Sequence, residues 1–541
     1  MIDSLKKFSP YLLSLLMINA GSVAFAQEAE EDEASDSDDE MMITVTGSRI
    51  KRTEVEGAQP VIIISSEDLA ARGATTVFEA LKDLTQNSGL QFEGPEAGGS
   101  FGAELQTFNL RGVGVGNTLI LINGRRITNY PAPYQASAGA VNFGSIPAAA
   151  VDQIEILATG ASAIYGSDAV AGVVNIKLKR DMEENVLNIL YGTPVEAKNK
   201  PGDTRLQFIT GHTFDNGNLT AIFEYQQRDQ ILSGEFEEFD SDLDYPFGDG
   251  VLFRNNAVFD YWNIYGWALD ATNDGYRPPP TEGTCAALNN GTTYSFREGR
   301  GNYCGRDDAA STNFRNESDR WSLTLSGNYM LNNDVELFAD VMYYNNESRA
   351  NRTGLGITED IIDFGANRQN IFGIPWDWYT SRRIFTEQEL GRSLDQRFED
   401  SALNISLGAR GTWGEQDWEF SFTQSDYELN TFRPWWKAEK VIETFLGTYQ
   451  GVGFFGDNWW SGNGTFGFTS DDVYKPADIA LINDAIGEQQ YGNETSSSSL
   501  QFVMNGTLTE MENGDLGYAM VLEYERQDFS FNPDERIQQD P

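Results

Sequence analysis

The residues able to do chemistry in this sequence are few, and their spacing excludes more than it permits. A single histidine, His212, serves 541 residues. It lies in an alternating, strand-like stretch, and no serine has a matching His and Asp around it, so nucleophilic hydrolysis lacks a base and no enzyme is expected. Two cysteines and one histidine cannot complete a zinc site. Cys285 and Cys304 share one polar, turn-rich stretch and are read as one disulfide closing a loop. Asp240, Asp242, Asp244 and Asp249 offer oxygen ligands for calcium, but their spacing does not fit an EF-hand, and a solvated acidic loop is the preferred reading. Neither a metal nor a cofactor is expected. Gly112-Val113-Gly114-Val115-Gly116 has the look of a dinucleotide loop, yet it precedes a strand instead of opening a helix and is read as a turn. Trp376, Trp378 and Tyr379, the pair Trp435 and Trp436, and the pair Trp459 and Trp460 cluster in long polar stretches. Aromatic faces stack on sugar rings and other planar or apolar ligands, which makes these clusters candidate ligand contacts. Loop packing or an aromatic girdle is the competing reading and is slightly favoured.

The elements that must position these residues fall into two textures. Residues 1–26 form a targeting segment: Lys6 and Lys7, a short apolar run over residues 11–18, then Ala24-Phe25-Ala26 as a small-x-small cleavage site. The apolar run is too short for a membrane anchor. Residues 27–41 are dominated by Glu, Asp, Ala and Ser and are expected to be a disordered spacer. From residue 50 to 180 the pattern is mixed α/β. Val61-Ile62-Ile63-Ile64 reads as a buried strand, Ser66 opens a helix through Leu69, and Thr75 to Leu84 reads as a second helix. Leu119 to Ile122, Asn123-Gly124 and Arg125 to Thr128 read as strand, turn and strand.

After Arg180 the rhythm has a period of two. Trp321, Leu323, Leu325, Tyr329 and Leu331 alternate with Ser322, Thr324, Ser326 and Asn328, and Leu403, Ile405, Leu407 and Ala409 alternate with polar residues. Segments of this kind begin near Asn185, Arg205, Leu219, Trp321, Val335, Leu403, Trp418, Leu500 and Leu516, each about 9–13 residues long, the length of a tilted membrane strand. Tight turns such as Asp215-Asn216-Gly217-Asn218 and Asn332-Asn333-Asp334 alternate with long stretches near 230–318, 348–400 and 429–497. Short turns on one rim and long loops on the other is the pattern of an outer-membrane β-barrel; a soluble sandwich, whose strands also alternate, is the competing reading. The net charge of −44 weighs against a nucleic-acid partner.

Four stretches resemble the TonB-dependent outer-membrane receptors. Ile43, Thr44, Val45 and Thr46 look like the TonB box. Asn109-Leu110-Arg111-Gly112 followed by Leu119-Ile120-Leu121-Ile122-Asn123-Gly124-Arg125-Arg126 resembles the central motif of the plug. Val151-Asp152-Gln153-Ile154-Glu155-Ile156-Leu157 resembles its next strand, and Gly166-Ser167-Asp168-Ala169-Val170-Ala171-Gly172 with Val173, Val174, Asn175 and Ile176 its last segment. The resemblance is close over residues 42–180 and architectural beyond.

It implies a transmembrane antiparallel barrel of about 22 strands with the α/β plug in its lumen. Residues 42–49 are then the TonB box region, 50–180 the plug and 181–541 a partial barrel in a Gram-negative outer membrane. Nine strands leave an open edge, so a truncated chain is expected. The implied function is active uptake of a scarce ligand, a carbohydrate or other organic nutrient or an iron-siderophore, through TonB and its inner-membrane energising complex. The implied surroundings are outer-membrane lipid and a small-molecule or oligosaccharide ligand. The alternative is a transport-incompetent surface ligand-binding protein. Many siderophore receptors carry Arg-Gly-Pro where this chain has Ala158-Thr159-Gly160, which tilts the cargo away from iron-siderophores. Arg111, Arg125 and Arg126 are the candidate plug–barrel contacts, with Glu224, Asp340 or Glu523 as lumen-facing partners. The competing reading of the TonB box is a first strand of the plug.

Overall fold

The computed structural model describes residues 61–71, 76–82, 84–87, 105–132, 139–158, 165–241, 261–263, 281–288, 293–297, 301–305, 309–311, 313–351, 355–363, 377–437, 440, 478–509 and 516–535. The signal segment, the acidic spacer and the TonB box lie outside them.

The plug is built on five strands: β1 (Val61–Ser65), β2 (Thr118–Ile122), β3 (Arg125–Arg126), β4 (Val151–Leu157) and β5 (Gly172–Leu178). Their order is β1-β4-β5-β2-β3; β2 and β5 run parallel and the other pairs antiparallel. Strands rich in Val, Ile and Leu occupy the middle, as expected where both faces are covered. Ile154, Ile156, Val174 and Ile176 are fully buried. The stretch expected as a buried strand, β1, is an edge strand instead: only Ile64 is buried, and Ile63 is exposed. Among the described residues it has one neighbour, β4.

Helix α1 (Ser66–Ala71) opens at Ser66, as the sequence suggested, and Ser65 caps it: Asp68 N donates to Ser65 Oγ at 3.1 Å, and Ser65 N donates to Asp68 Oδ2 at 3.0 Å. Helix α2 (Val77–Lys82) is shorter than expected and is capped by Thr76, whose Oγ1 accepts from Glu79 N at 3.0 Å.

Nine strands form the second sheet: β6 (Val186–Gly192), β7 (Asp203–Phe214), β8 (Gly217–Arg228), β9 (Glu317–Asn332), β10 (Val335–Ala350), β11 (Gln396–Trp413), β12 (Gln416–Trp436), β13 (Ile486–Thr509) and β14 (Leu516–Asn532). All pairs are antiparallel neighbours in chain order, with β6 and β14 at the edges. The strands after β8 run 16 to 24 residues, longer than the sequence pattern indicated. Periodicity marks only the stretch that alternates apolar with polar; beyond it the ladder continues through polar residues such as Ser496, Ser497 and Ser498.

The two faces of this sheet are inverted relative to a soluble domain. On β9, Ser318, Arg320, Ser322, Thr324 and Ser326 are buried against the plug, while Tyr329 and Leu331 on the other side are exposed. Leu187, Ile189, Leu337, Leu407, Phe420, Leu500 and Leu522 are likewise exposed on the outer face. Polar inside and apolar outside is what a wall needs when hydrocarbon lies outside and a filled lumen inside. The plug core and the wall merge, since Ile209, Ile222 and Met342 belong to the same buried cluster as Ile120, Ile154 and Val174.

At the long-loop rim, Thr293–Arg297 pairs with Gly301–Gly305, and Asp377–Phe385 pairs with both Leu355–Asp363 and Tyr261–Asn263. Cys285, in α3 (Glu282–Leu288), is buried and disulfide-bonded; the sequence holds one other cysteine, Cys304.

Candidate functional site: the plug–wall interface

The Asn-Gly turn between β2 and β3 sets the geometry of the site. Asn123 has φ 50° and Gly124 has φ 79°, the left-handed pair that a two-residue hairpin turn requires. The turn is fastened from below: Gly124 N donates to Asn175 Oδ1 at 2.8 Å, and Asn123 Oδ1 accepts from Leu178 N at 3.0 Å. Asn175 in turn donates to the buried carboxylate of Glu155 at 3.2 Å, which Lys177 neutralises at 2.5 Å. A polar thread inside an apolar sheet therefore fixes the two arginines that follow the turn.

Arg125 crosses into the wall near the short-turn rim. Its Nη2 donates to Glu419 Oε1 at 2.6 Å, its Nη1 lies 3.8 Å from Asp340 Oδ2, and its guanidinium stacks over the Phe338 ring at 4.3 Å. Asp340 also receives Asn123 Nδ2 at 3.2 Å and the guanidinium of Arg180. Room for Phe338 comes from Gly408, its cross-strand neighbour, where a Cβ would meet the ring at 2.3 Å and Phe420 O at 2.4 Å. Arg126 is shared: Nη1 holds Asp168 of the plug at 2.6 Å, and Nε lies 3.7 Å from Glu525 on β14. Arg111, expected at the wall, turns back into the plug. It sits at φ 57°, and its Nη2 donates to Ala171 O at 2.8 Å.

Closer to the long-loop rim, Asn142 Nδ2 donates to Tyr427 OH at 2.9 Å, and Tyr427 OH donates to Asp400 at 2.6 Å, which also accepts from Asn346 at 2.7 Å. Tyr130 meets the Tyr427 ring edge-on at 5.3 Å, and Thr128 N donates to Ser425 Oγ at 2.9 Å. The bonds from Asn142 and Thr128 cross from plug to wall, with Asp400 and Asn346 holding Tyr427 from the wall side, so these contacts set the plug's register against the strands.

Of the other residues singled out in the sequence, Glu224 is buried in the lumen and accepts from Gln207 at 2.7 Å. Glu523 is exposed on β14, two residues from Glu525. Trp436 packs edge-on against Phe385 at 5.6 Å within a cluster of rim residues, and Trp435 lies under the Arg433 guanidinium at 4.6 Å. Trp378 and Tyr379 fall on the strand Asp377–Phe385. Trp376, Trp459 and Trp460 lie outside the described residues, as do Asp242, Asp244 and Asp249. Asp240 pairs with Lys198 at 2.6 Å, a hydrogen bond that raises the lysine's pKa. His212 is exposed and meets Phe214 edge-on at 4.6 Å.

Sequence reasoning missed Glu419, Asn175 and the Tyr427–Asp400 pair. The available signal for Asn175 was one amide inside the apolar run Val173-Val174-Asn175-Ile176.

Residues 53–173 match the TonB-dependent receptor plug domain. An iron-regulated outer membrane virulence protein of Vibrio cholerae is 28% identical over 265 residues, which is 48% of this chain and 36% of that protein. A vitamin B12 transporter of Vibrio vulnificus is 29% identical over 251 residues, 46% of this chain and 36% of that protein. The matched stretch thus spans little more than a third of either relative. Among solved structures, a ferric enterobactin receptor from Pseudomonas aeruginosa superposes with a TM-score of 0.44 at 13% identity, covering 91% of this chain and 60% of that one. Residues 53–173 are thus a plug domain of the TonB-dependent receptor kind, and an antiparallel wall of nine strands among the described residues follows it.

Proposed function

We propose that this protein is a TonB-dependent receptor that takes up a scarce ligand across the outer membrane, with energy delivered through TonB. The observation that carries the reading is the inverted wall: a nine-stranded sheet, apolar outside and polar inside, with the plug bound to its polar face. A plug bound in this way closes the lumen, and opening it demands work at the interface formed by Arg125, Asp340 and Glu419.

In this reading residues 1–26 are removed on export, 27–41 are the tether, 42–49 carry the TonB box, 50–180 are the plug and 181–541 contribute barrel strands. Ile43, Thr44, Val45 and Thr46 are β-prone residues on an acidic tether, suited to adding as a strand to a partner's sheet edge through backbone hydrogen bonds. Tension on that strand reaches the plug through the chain itself. The cargo is a carbohydrate or other organic nutrient, or an iron-siderophore, and Trp378, Tyr379 and Trp435 are ligand contacts at the long-loop rim.

Val45→Pro is the direct test, because proline removes a backbone donor and cannot join the ladder. In cells that depend on this receptor for growth on iron-chelated or oligosaccharide-limited medium, the variant is expected to reach the outer membrane at the normal level and lose uptake. Unchanged uptake on both media rejects TonB coupling.

A further inference from the structure

A second polar region lies between plug and wall, away from the Arg125 cluster and unused by it. Arg205 on β7 faces Gln226 on β8, Gln226 faces Arg320 on β9, Arg320 faces Asn346 on β10, and Asn346 faces Asp400 on β11. One row nearer the long-loop rim, Arg228 faces Asp203 and Ser318. These side chains point inward: Arg205 is 3% exposed, Arg228 7% and Arg320 7%. These three buried guanidiniums stand against Asp203, Glu224 and Asp400, so the corner does not share the excess of negative charge that the chain carries, −44 overall.

The carboxylates nearby are already engaged. Glu224 accepts from Gln207 at 2.7 Å, Asp400 from Asn346 and Tyr427, and Asp203 from Gln226 at 2.7 Å with Arg228 at 3.6 Å. The N–H donors of Arg205 at Nε and Nη2 and of Arg320 at Nε are buried with no acceptor among the described residues. Arg320 donates to Gln226 through Nη2 alone. Beside it is a cavity of about 20 Å³ lined by Arg228, Arg320, Ser318, Asn346, Gln106 and Gly144. A second of about 10 Å³ adjoins it and shares Arg320, Gly144 and Tyr344. A buried donor without an acceptor has lost its hydration with nothing in return, most of all when it is charged, so a stable interface calls for an acceptor oxygen in this space, from bound water or from an anion.

We propose that this seam is an oxyanion site, in which a carboxylate or phosphate oxygen accepts from Arg320 between the plug at residues 144–147 and strands β8 to β10. The guanidinium fork suits such a group, because it presents paired donors to paired oxygens. The group comes either from a free small anion or from the acidic end of the transported molecule. The second source rests on the import reading; the site itself does not.

Thermal unfolding of the full-length protein in detergent micelles tests the site, at constant ionic strength with a weakly coordinating sulfonate as balancing anion. Formate and inorganic phosphate probe the free-anion source, and glucuronate probes a carboxylate carried on a sugar. The midpoint is expected to rise saturably with formate or phosphate, as for any ligand bound by the native state only. Arg320→Gln is expected to weaken the apparent affinity about tenfold or more, the loss of one charge-assisted contact. Gln106→Glu keeps the side-chain shape and places a carboxylate in the cavity, so the midpoint in anion-free buffer should rise and the response should vanish. If Arg320→Gln does not fold, Gln106→Glu decides. A response to glucuronate as well as formate assigns the site to cargo, and a response to formate or phosphate alone assigns it to a free anion. No response to any of the three probes, or equal responses in wild type and Gln106→Glu, overturns the proposal. Val45→Pro should bind the anion normally, so failure of TonB coupling and failure of this site give different results.

Discussion

Arg125 makes contact with two wall carboxylates and the face of Phe338 while its own side chain is 6% exposed. A buried guanidinium in that position contributes little net stability when every partner is present, because desolvation offsets the attraction. Removing one partner is a different matter. Asp340→Asn leaves Arg180 facing a neutral amide while Arg125 keeps Glu419, and is expected to destabilise the plug–wall interface by about 2–3 kcal/mol. A cycle of Arg125→Ala and Glu419→Ala should give a coupling energy of about 1–3 kcal/mol by denaturant unfolding. Additive effects would show that Glu419 is a bystander. These partners were half legible in the sequence. A period of two says which residues face the lumen, and Asp340 and Glu224 do. It does not say which row of the wall meets Arg125 or Arg126, because rows are set by strand register and plug depth. The result is a displacement by one row: Glu525, not Glu523, faces Arg126. Arg111 was misjudged for a local reason, since a left-handed residue before Gly112 and Val113 sends its side chain back toward Ala171.

The hairpin of β2 and β3 works as a unit because its turn is tied to β5 at both ends. Asn175 accepts from Gly124 N and donates to Glu155, so Asn175→Ala strands a backbone donor and thins the contacts of a buried carboxylate. The expected cost is about 2–4 kcal/mol, from one or two buried groups left without partners. Hydrogen exchange is the measurement that separates this from general unfolding. Amides of β2 and β3 should lose protection while those of β11 and β12, which touch no part of the turn through Asn175, keep theirs. Equal loss in both places would mean that Asn175 merely fills space. At this scale the sequence was informative where local chemistry decides structure. The Asn-Gly turn, the strands flanking it and the nine wall strands all follow from alternation and turn residues. It was weaker at element ends: Ser65 and Thr76 cap the helices through hydrogen bonds that one reads only once the chain direction at the cap is known. The burial of β1 was overestimated for a related reason, since hydrophobic content does not reveal which strand sits at a sheet's edge.

At the largest scale the described strands form a wall whose outer face is apolar and whose inner face binds a plug, and that polarity can be tested without knowing the cargo. Leu407 lies on the outer face of β11, between Ala339 on β10 and Phe422 on β12, and is 46% exposed. In a soluble sandwich an exposed leucine gains nothing from its surroundings, and Leu407→Lys would be neutral or would improve solubility. Against hydrocarbon the same change costs about 2–4 kcal/mol at mid-depth and about 0–1 near an interface. Ser406, its neighbour in sequence, faces the opposite way and hydrogen-bonds to Thr423 at 3.2 Å, so Ser406→Leu tests the inner face. The expected pair of outcomes is asymmetric. Leu407→Lys should reduce the yield of protein inserted in lipid vesicles while leaving the detergent-solubilised fold intact. Ser406→Leu should insert normally and loosen the plug, detected as faster proteolysis of residues 61–178. Normal insertion of Leu407→Lys, with a gain in solubility, would return the chain to the sandwich reading. The reverse result ties the inversion of the sheet to the membrane, because no other solvent rewards leucine outside and serine within.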